Sequence, residues 1–120
     1  MKKILIIDDD NRNVFALSAV LRSRGYSYLA ATTPQEALQL IANDAEIELI
    51  LMDMMMPEMD GYTLIPAIRK DNTRHIPVIA VTAQAMAGDR DRCIAAGADD
   101  YLSKPIDIDK LTGVIRHYMK

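Results

Sequence analysis

Short apolar runs alternate with longer amphipathic segments along the whole chain. The apolar runs are too short for helices, and those rich in Ile and Val are typical of buried strands. The pattern predicts five strands, at Ile4–Ile7, Tyr26–Ala31, Glu48–Met52, Pro77–Val81 and Asp99–Ser103. The second and fifth runs are less apolar and are weaker strand candidates. They are flanked by Gly25 and Gly97.

The amphipathic segments predict helices that follow the strands. In Asn11–Arg24, for example, Val14, Leu17 and Leu21 recur at spacings of three and four residues, which places them on one helical face. The other predicted helices open at Thr33, or span Tyr62–Lys70, Ala85–Ala96 and Asp107–Met119.

Several residues mark where these helices begin and end. Thr33 and Glu36 have the spacing of a capping box around a proline in the first turn. Asp107 is suited to the N-cap of the fifth helix, and Gly97 to the end of the fourth. Pro66 lies inside the third helix and is expected to kink or weaken it.

Strict alternation of strands and helices predicts an α/β fold, (βα)₅, with a parallel sheet that helices cover on both faces. If the strand order is 2-1-3-4-5, strands one and three are neighbours at the point where the order reverses. Ligands of such sheets bind outside the carboxyl ends of the strands. The residues that follow each strand are therefore the candidates for a functional site.

Length and composition narrow the class of protein. The chain has 120 residues, of which 50% are hydrophobic and 26% charged, which suits one globular domain and excludes a disordered chain. Five βα units use almost all of residues 1–120, so we expect a single domain with no appended output domain. No apolar run approaches the ~18 residues of a transmembrane helix, and we expect no membrane insertion.

Charge and cysteine content bear on partners and location. The chain has 14 Lys and Arg against 17 Asp and Glu, a net charge of −3, and a pI of about 5.3. This balance argues against direct binding of nucleic acid. The single Cys93 excludes a disulfide framework and fits a reducing compartment, so we expect a cytoplasmic protein.

Polar residues follow four of the predicted strands. Asp8 and Asp9 follow the first, Asp53 the third, Thr82 the fourth, and Lys104 lies just after the fifth. The carboxyl ends of parallel strands meet at one edge of the sheet, so these side chains are expected to converge. Asp10, the third acidic residue of the first group, is better explained as a helix cap or a surface charge.

Together, these groups are suited to binding a metal ion and a phosphoryl group. Clustered carboxylates repel one another unless a cation joins them, and Mg²⁺ prefers oxygen ligands and phosphate. A carboxylate can attack phosphorus to form an aspartyl phosphate. An ammonium group and the metal can neutralise the phosphoryl oxygens, and a threonine hydroxyl can donate a hydrogen bond to one of them.

Over essentially its whole length the chain resembles the receiver domain of two-component response regulators. The ordered set of an Asp pair, Asp, Thr and Lys-Pro at successive strand ends is very specific to that family. The resemblance rests on the segments Ile4–Asn11, Leu51–Gly61, Pro77–Ala83 and Gly97–Pro105. It implies the flavodoxin-like, doubly wound version of the fold with strand order 2-1-3-4-5.

The resemblance also implies a phosphorylation site. Asp53 would accept a phosphoryl group from a histidine kinase or a histidine phosphotransfer protein. Asp9 would bind Mg²⁺ directly, Asp8 would help through water, and Asp53 and the backbone carbonyl of Met55 would complete the protein ligands. Lys104 would contact the phosphoryl group.

The remaining implied roles concern the switch. Thr82 would move to hydrogen-bond the phosphoryl group, and Tyr101 would couple that movement to the surface around helix four, strand five and helix five. A downstream effector protein would recognise this surface, and phosphorylation could also promote a dimer. The Lys104–Pro105 peptide would be cis, which is uncommon among X–Pro bonds in general. The chain would then be a signalling switch rather than an enzyme with an external substrate.

Two details refine or depart from the family pattern. Asn13 on the first helix, together with Thr82–Met86, is similar to receivers of hybrid kinases and phosphorelays, although stand-alone receivers carry the same residues. Met55 occupies a position that is often polar in receivers. Metal binding through its carbonyl is unaffected, but the lifetime of the phosphoryl group is open, because this side chain flanks the path of attacking water.

Other interpretations of the same residues stay open at this point. A phosphatase of the haloacid dehalogenase type also forms an aspartyl phosphate, but Arg12 stands where its motif has Thr. An interaction module that never takes phosphate is a third class, disfavoured because every site residue is present. Thr82 and Tyr101 could be plain packing residues. The methionines around Asp53 could bind a soft metal, but adaptable packing explains them better.

Overall fold

In a computed structural model, which describes residues 2–56, 61–71, 75–83 and 88–119, strands and helices alternate along the chain. The strands are β1 (Lys3–Ile7), β2 (Ser27–Ala31), β3 (Ile47–Asp53), β4 (Val78–Thr82) and β5 (Asp100–Ser103). The helices are α1 (Asn11–Ser23), α2 (Pro34–Asn43), α3 (Gly61–Asp71), α4 (Asp89–Ala96) and α5 (Ile108–Tyr118). The predicted (βα)₅ alternation is confirmed.

The five strands form one parallel sheet in the order β2-β1-β3-β4-β5. This is the predicted order of the flavodoxin-like fold, with β1 and β3 as neighbours at the point where the order reverses. The sheet edge at the carboxyl ends of β1, β3, β4 and β5 therefore brings together four loops that are far apart in sequence.

The sheet divides the core into two apolar layers because successive side chains of a strand point to opposite faces. Ile4 and Ile6 of β1 pack on the face that α1 and α5 cover, for example against Leu17. Leu5 and Ile7 pack on the opposite face, which α2, α3 and α4 cover. The apolar side chains of β1, β3 and β4 are buried in both layers. This explains why these strands are nearly continuous apolar runs in the sequence.

The predicted helix ends are confirmed by their hydrogen bonds. Thr33 Oγ1 accepts from the Glu36 N–H at 3.1 Å, and Glu36 Oε1 accepts from the Thr32 N–H at 2.8 Å. Asp107 caps α5 by accepting from the Asp109 N–H at 2.8 Å. Gly97 ends α4 with φ of +116°, a conformation that glycine adopts without strain.

Most strands and helices begin or end within one residue of the predicted position, and α4 begins at Asp89 rather than Ala85. β3 extends one residue further, to Asp53, because Asp53 pairs with Val81 of β4 and the Met54 N–H donates to the Val81 carbonyl at 3.0 Å. α3 continues through Pro66 to Asp71, so the proline does not interrupt it. Pro66 is exposed, and the apolar face of α3 holds the helix on the core. The first turn predicted for the fourth helix, residues 85–87, lies outside the described residues.

The methionines near Asp53 behave as packing residues. Met52, Met54 and Met56 are buried in the layer below α2, α3 and α4, whereas Met55 is 53% exposed. Cys93 is buried in the same layer, as expected for a small apolar side chain. Among the described residues, each helix is too short or too polar to cross a bilayer.

A polar network at the opposite edge of the sheet was not predicted. The Asp99 carboxylate accepts from Arg69 Nη2 at 2.8 Å and from the Val78 N–H at 2.9 Å, and its Oδ1 lies 2.9 Å from His75 Nε2. Arg69 also donates to the carbonyls of Ile76 and Gly97. The network joins the end of α3 to the starts of β4 and β5.

We predict that Asp99→Ala lowers the free energy of unfolding by about 2–4 kcal/mol, because it removes a charge-assisted bond to Arg69 and leaves the Val78 N–H unpaired. Urea denaturation monitored by circular dichroism measures this change. Asp91→Ala, at an exposed carboxylate on α4, is the matched control and is expected to change stability by no more than about 0.5 kcal/mol. Equal losses in the two variants would contradict a structural role for the network.

Candidate functional site

The predicted acidic residues converge at the carboxyl edge of the sheet. Asp8 and Asp9 follow β1, and Asp53 ends the adjacent strand β3. One carboxylate oxygen from each of the three residues lies within 4.8 Å of the others. The parallel pairing of β1 with β3 therefore produces the cluster that the sequence analysis anticipated.

The Asp53 side chain is held in place by its own loop. Its Oδ1 accepts a hydrogen bond from the Met55 N–H at 3.1 Å, and the residue is only 6% exposed. The Met54 N–H is bonded to the Val81 carbonyl, so the backbone on both sides of Asp53 is fixed to β4. The carboxylate is therefore oriented at the sheet edge before any ligand binds.

Asp8 is also buried, whereas Asp9 is exposed. Asp8 Oδ1 accepts from the Asp10 N–H at 2.9 Å, a bond that shapes the turn between β1 and α1. Burial raises the pKa of the Asp8 carboxyl, and the nearby Asp53 carboxylate acts in the same direction. The Asp10 N–H, the Lys104 ammonium and the Asn13 side chain oppose this pKa shift.

Asn13 is a site residue that sequence reasoning did not identify as one. Its side chain hydrogen-bonds the Asp8 carboxyl, and it lies on the first turns of α1 just after the acidic run. The sequence analysis used Asn13 only as a marker of subtype. The sequence did contain a signal for this role. Asn13 lies five residues after Asp8, at the start of the helix that follows β1, and is therefore close to the acidic residues.

Lys104 supplies the positive charge of the site. Its Nζ lies 3.6 Å from Asp53 Oδ1 and 4.0 Å from Asp8 Oδ2. Its backbone N–H donates to the Thr82 carbonyl at 2.8 Å, which extends the pairing of β4 with β5 beyond the last paired residues. The peptide bond from Lys104 to Pro105 is cis. The ammonium therefore faces both buried carboxylates from the opposite side of the cleft.

The two residues that the sequence analysis connected with a switch, Thr82 and Tyr101, lie on β4 and β5. Thr82 is 1% exposed at the end of β4, beside the strand end that carries Asp53. Tyr101 is half-buried and packs on the edge of the layer below α2, α3 and α4. Four of the residues between them in the sequence, Gln84–Ala87, lie outside the described part of the chain, as do Pro57–Asp60 of the motif after Asp53.

The donor set fits a hard divalent cation. Three carboxylates with oxygens less than 5 Å apart, two of them buried, are costly as a group of like charges and favourable around a metal. All three side chains offer oxygen, the ligand type that Mg²⁺ prefers. The exposed carboxylate of Asp9 leaves an open side toward solvent, where water or phosphate ligands fit.

The raised pKa of Asp8 has a consequence for stability. Because its pKa is higher in the folded than in the unfolded chain, the protonated form favours folding, and this contribution is lost as the pH rises through the raised pKa. We predict that Asp8→Asn, measured by urea denaturation in EDTA at neutral pH, is more stable than the unsubstituted chain by about 1–3 kcal/mol.

The same measurement at acidic pH checks the cause. The advantage of Asp8→Asn is expected to shrink as the pH falls below the raised pKa, where Asp8 is already neutral. Asp91→Asn on α4 is the control and is expected to follow the unsubstituted chain at every pH. An Asp8→Asn variant that is less stable at neutral pH would contradict the electrostatic description of the site.

Comparison with known proteins identifies relatives along nearly the whole chain. Residues 4–116 match the family model of the response regulator receiver domain. The polar-differentiation response regulator DivK of Brucella ovis is 36% identical over 119 residues, which cover 98% of this chain and 96% of DivK. The response regulator PleD of Caulobacter vibrioides is 42% identical over 106 residues, which cover 88% of this chain but only 23% of PleD.

A solved structure of a receiver domain has the same fold. The receiver domain of the sensor histidine kinase PA1611 from Pseudomonas aeruginosa PAO1 superimposes with a TM-score of 0.86 at 35% identity, covering 98% of this chain and 96% of that domain. That structure has a magnesium ion coordinated in its active-site cleft. In this chain the carboxylates of Asp8, Asp9 and Asp53 lie together at the carboxyl edge of the sheet.

Proposed function

Because this chain belongs to the receiver domain family of two-component response regulators, we propose that it is a signalling switch whose phosphoacceptor is Asp53. The observation that supports this assignment is the position of the Asp53 carboxylate. It is buried, fixed by the Met55 N–H, 3.6 Å from the Lys104 ammonium, and within 4.8 Å of the Asp8 and Asp9 carboxylates.

The proposed reaction is transfer of a phosphoryl group to the Asp53 side chain. A carboxylate oxygen of Asp53 attacks phosphorus, and an O–P bond forms as the P–N bond of a phosphohistidine breaks. The leaving imidazole keeps the electron pair of that bond and takes a proton. Later, water attacks the phosphorus, inorganic phosphate leaves, and the Asp53 carboxylate is restored.

Lys104 has two tasks in this reaction. Before transfer, its ammonium group partly neutralises the two buried carboxylates that it faces. During transfer, the same charge stabilises the negative phosphoryl oxygens at a position that the protein has already arranged. The bond from its N–H to the Thr82 carbonyl keeps the ammonium at the sheet edge.

Receiver domains bind Mg²⁺ in their acidic pocket, and here we propose Asp8, Asp9, Asp53 and the backbone carbonyl of Met55 as the protein ligands. When bound, Mg²⁺ supplies positive charge that offsets the clustered carboxylates and the incoming phosphoryl oxygens. The bond from the Met55 N–H to Asp53 orients the loop that carries this carbonyl.

The proposed output is a change in surface shape. The Thr82 hydroxyl would turn to the phosphoryl group, and the space that it vacates would let Tyr101 move inward from its half-buried position. Phosphorylation would thereby shift a two-state balance of the surface formed by α4, β5 and α5. A downstream effector or a second copy of the chain would bind the phosphorylated state.

Receiver domains interact with histidine kinases or histidine phosphotransfer proteins, and we propose one of these as the phosphodonor of this chain in the cytoplasm. Phe15, in the N-terminal half of α1, and Met55, two residues after the end of β3, are large apolar side chains that are 69% and 53% exposed. These apolar groups suit a protein donor that approaches the carboxyl edge of the sheet. Residues 1–120 act as one receiver domain in this proposal.

The experiment that tests the proposal is intact-mass measurement of the chain after incubation with acetyl phosphate. In Mg²⁺ we expect the mass of one added phosphoryl group, and in EDTA no addition. Inclusion of an unrelated receiver that is labelled under the same conditions controls for the quality of the donor. No addition in Mg²⁺, with the control receiver labelled, would favour an interaction module that takes no phosphate.

A further inference from the structure

A cavity of about 360 Å³ lies beside the acidic cluster, on the sheet face that α1 and α5 cover. Ile6, Leu51 and Val81 line it from β1, β3 and β4. Leu17 closes one side from α1, and Leu111 the other side from α5. Cavities of ~300–1,000 Å³ with aliphatic walls and a few convergent polar groups are typical of small-molecule sites.

The polar groups of the cavity lie together at one end. Asp8, Asp53, Lys104 and Asn13 belong to its lining, and the rest of the lining is apolar. Two carboxylates face one ammonium, which lies 3.6 Å from Asp53 and 4.0 Å from Asp8. This end therefore has an excess of acidic groups, and a positively charged ligand group is complementary to it.

We propose that this cavity binds small amphiphilic amines, with the ammonium group at the Asp8 and Asp53 carboxylates and an alkyl or aryl body between α1 and α5. Two independent features support this site, a preformed apolar cavity and the excess of carboxylates at one end of it. A neutral head group would leave that excess negative charge unbalanced, and an anionic head group would add to the repulsion.

We expect the bound amine to compete with Mg²⁺. This part of the proposal rests on the proposed function. Asp8 and Asp53 are also the proposed ligands of Mg²⁺, so amine and metal neutralise the same two carboxylates. An amine in the cavity would lower the apparent Mg²⁺ affinity by mass action and slow phosphorylation of Asp53. The amine would thereby act as an inhibitor of the switch.

A titration with 4-phenylbutylamine tests the site directly. The amine is added to the full chain, labelled with ¹⁵N, in buffer without Mg²⁺, and binding is followed by amide chemical shifts. We expect saturable shifts around the cavity. We expect 4-phenylbutan-1-ol to bind at least about tenfold more weakly and 4-phenylbutanoate more weakly still, because neither carries the positive charge that complements the carboxylates. Mg²⁺ is expected to weaken amine binding to the unsubstituted chain.

Two alanines of α1 provide matched variants. Both are exposed on the helix, but Ala16 lines the cavity and Ala19 does not. Ala16→Leu is expected to obstruct the cavity and to weaken amine binding at least about tenfold, and Ala19→Leu to change it by less than about twofold. Both variants are expected to be labelled by acetyl phosphate as the unsubstituted chain is.

Several results would overturn the proposal. These are equal affinity for the amine and the alcohol, amine binding that Mg²⁺ does not weaken, or absence of saturable binding. None of these three measurements needs a variant, so they remain decisive even if Ala16→Leu fails to fold. A chain that acetyl phosphate labels but that binds no amine contradicts only the amine site. A chain that binds the amine but is never labelled contradicts the proposed function and leaves the cavity assignment intact.

Discussion

Asp53→Asn is expected to abolish the phosphoryl labelling that acetyl phosphate and Mg²⁺ produce in the unsubstituted chain. The asparagine amide has nearly the same shape and can still accept from the Met55 N–H through Oδ1. It cannot form an acyl phosphate, because its oxygen lacks the negative charge of the attacking carboxylate. The expected effect is complete loss of the added mass, with the circular dichroism spectrum unchanged.

Asp8→Asn is the informative partner of this variant. If Asp53 is the acceptor, Asp8→Asn is labelled more slowly, because it removes one proposed metal ligand and leaves the acceptor in place. Labelling that survives Asp53→Asn and is lost in Asp8→Asn would instead indicate a phosphatase of the haloacid dehalogenase type. Asp91→Asn, at an exposed position of α4, controls for loss of a carboxylate elsewhere and is expected to be labelled normally.

Lys104→Ala is expected to separate metal binding from phosphoryl transfer. The variant removes an ammonium group that lies 3.6 Å from Asp53 and 4.0 Å from Asp8, so Mg²⁺ loses a competing positive charge. We therefore expect Mg²⁺ affinity to be equal or higher. Phosphoryl transfer loses a preorganised charge, and removal of one such group typically costs about a hundredfold or more in rate.

Isothermal titration with Mg²⁺ and the time course of labelling by acetyl phosphate measure the two effects in the same preparation. Lys70→Ala is the matched control, since Lys70 is exposed in the last turn of α3, at the end of the helix away from the cleft. A clear loss of Mg²⁺ affinity in Lys104→Ala would contradict the proposed arrangement of charges. Unchanged labelling would remove Lys104 from the reaction.

The arrangement of the site was largely predictable because it depends on topology. Once the alternation of strands and helices gives a parallel sheet, residues that follow its strands must meet at one edge. With strand order 2-1-3-4-5, which the structure confirms, Asp8 and Asp9 necessarily lie next to Asp53. Lys104 follows from the same reasoning, because β5 pairs with β4 and its last residue is placed beside Thr82.

What could not be predicted depends on how particular side chains fit. His75 and Asp99 are 24 residues apart, and their contact arises because Arg69 and the Val78 N–H bring the carboxylate to the start of β4. Periodicity carries no information on such loop contacts. The persistence of α3 through Pro66 is similar, since tertiary packing of the apolar face outweighs the local cost of the proline.

The cavity between α1 and α5 is another feature that could not be predicted from the sequence. The sequence shows that Leu17 and Leu111 lie on apolar helical faces, and both are buried in the structure. Whether two such faces close completely depends on the volumes of all the side chains between them and on the angle of each helix. Only coordinates show that a space of about 360 Å³ is left there.

The most direct test of the central claim is to locate the phosphoryl group on the chain. Borohydride reduces an aspartyl phosphate to homoserine with release of phosphate, which marks the modified residue permanently. We predict that, after labelling in Mg²⁺ and reduction, peptide mass mapping finds homoserine at position 53 and aspartate at positions 8, 9 and 10. Homoserine at position 8, or at any position other than 53, would contradict the account.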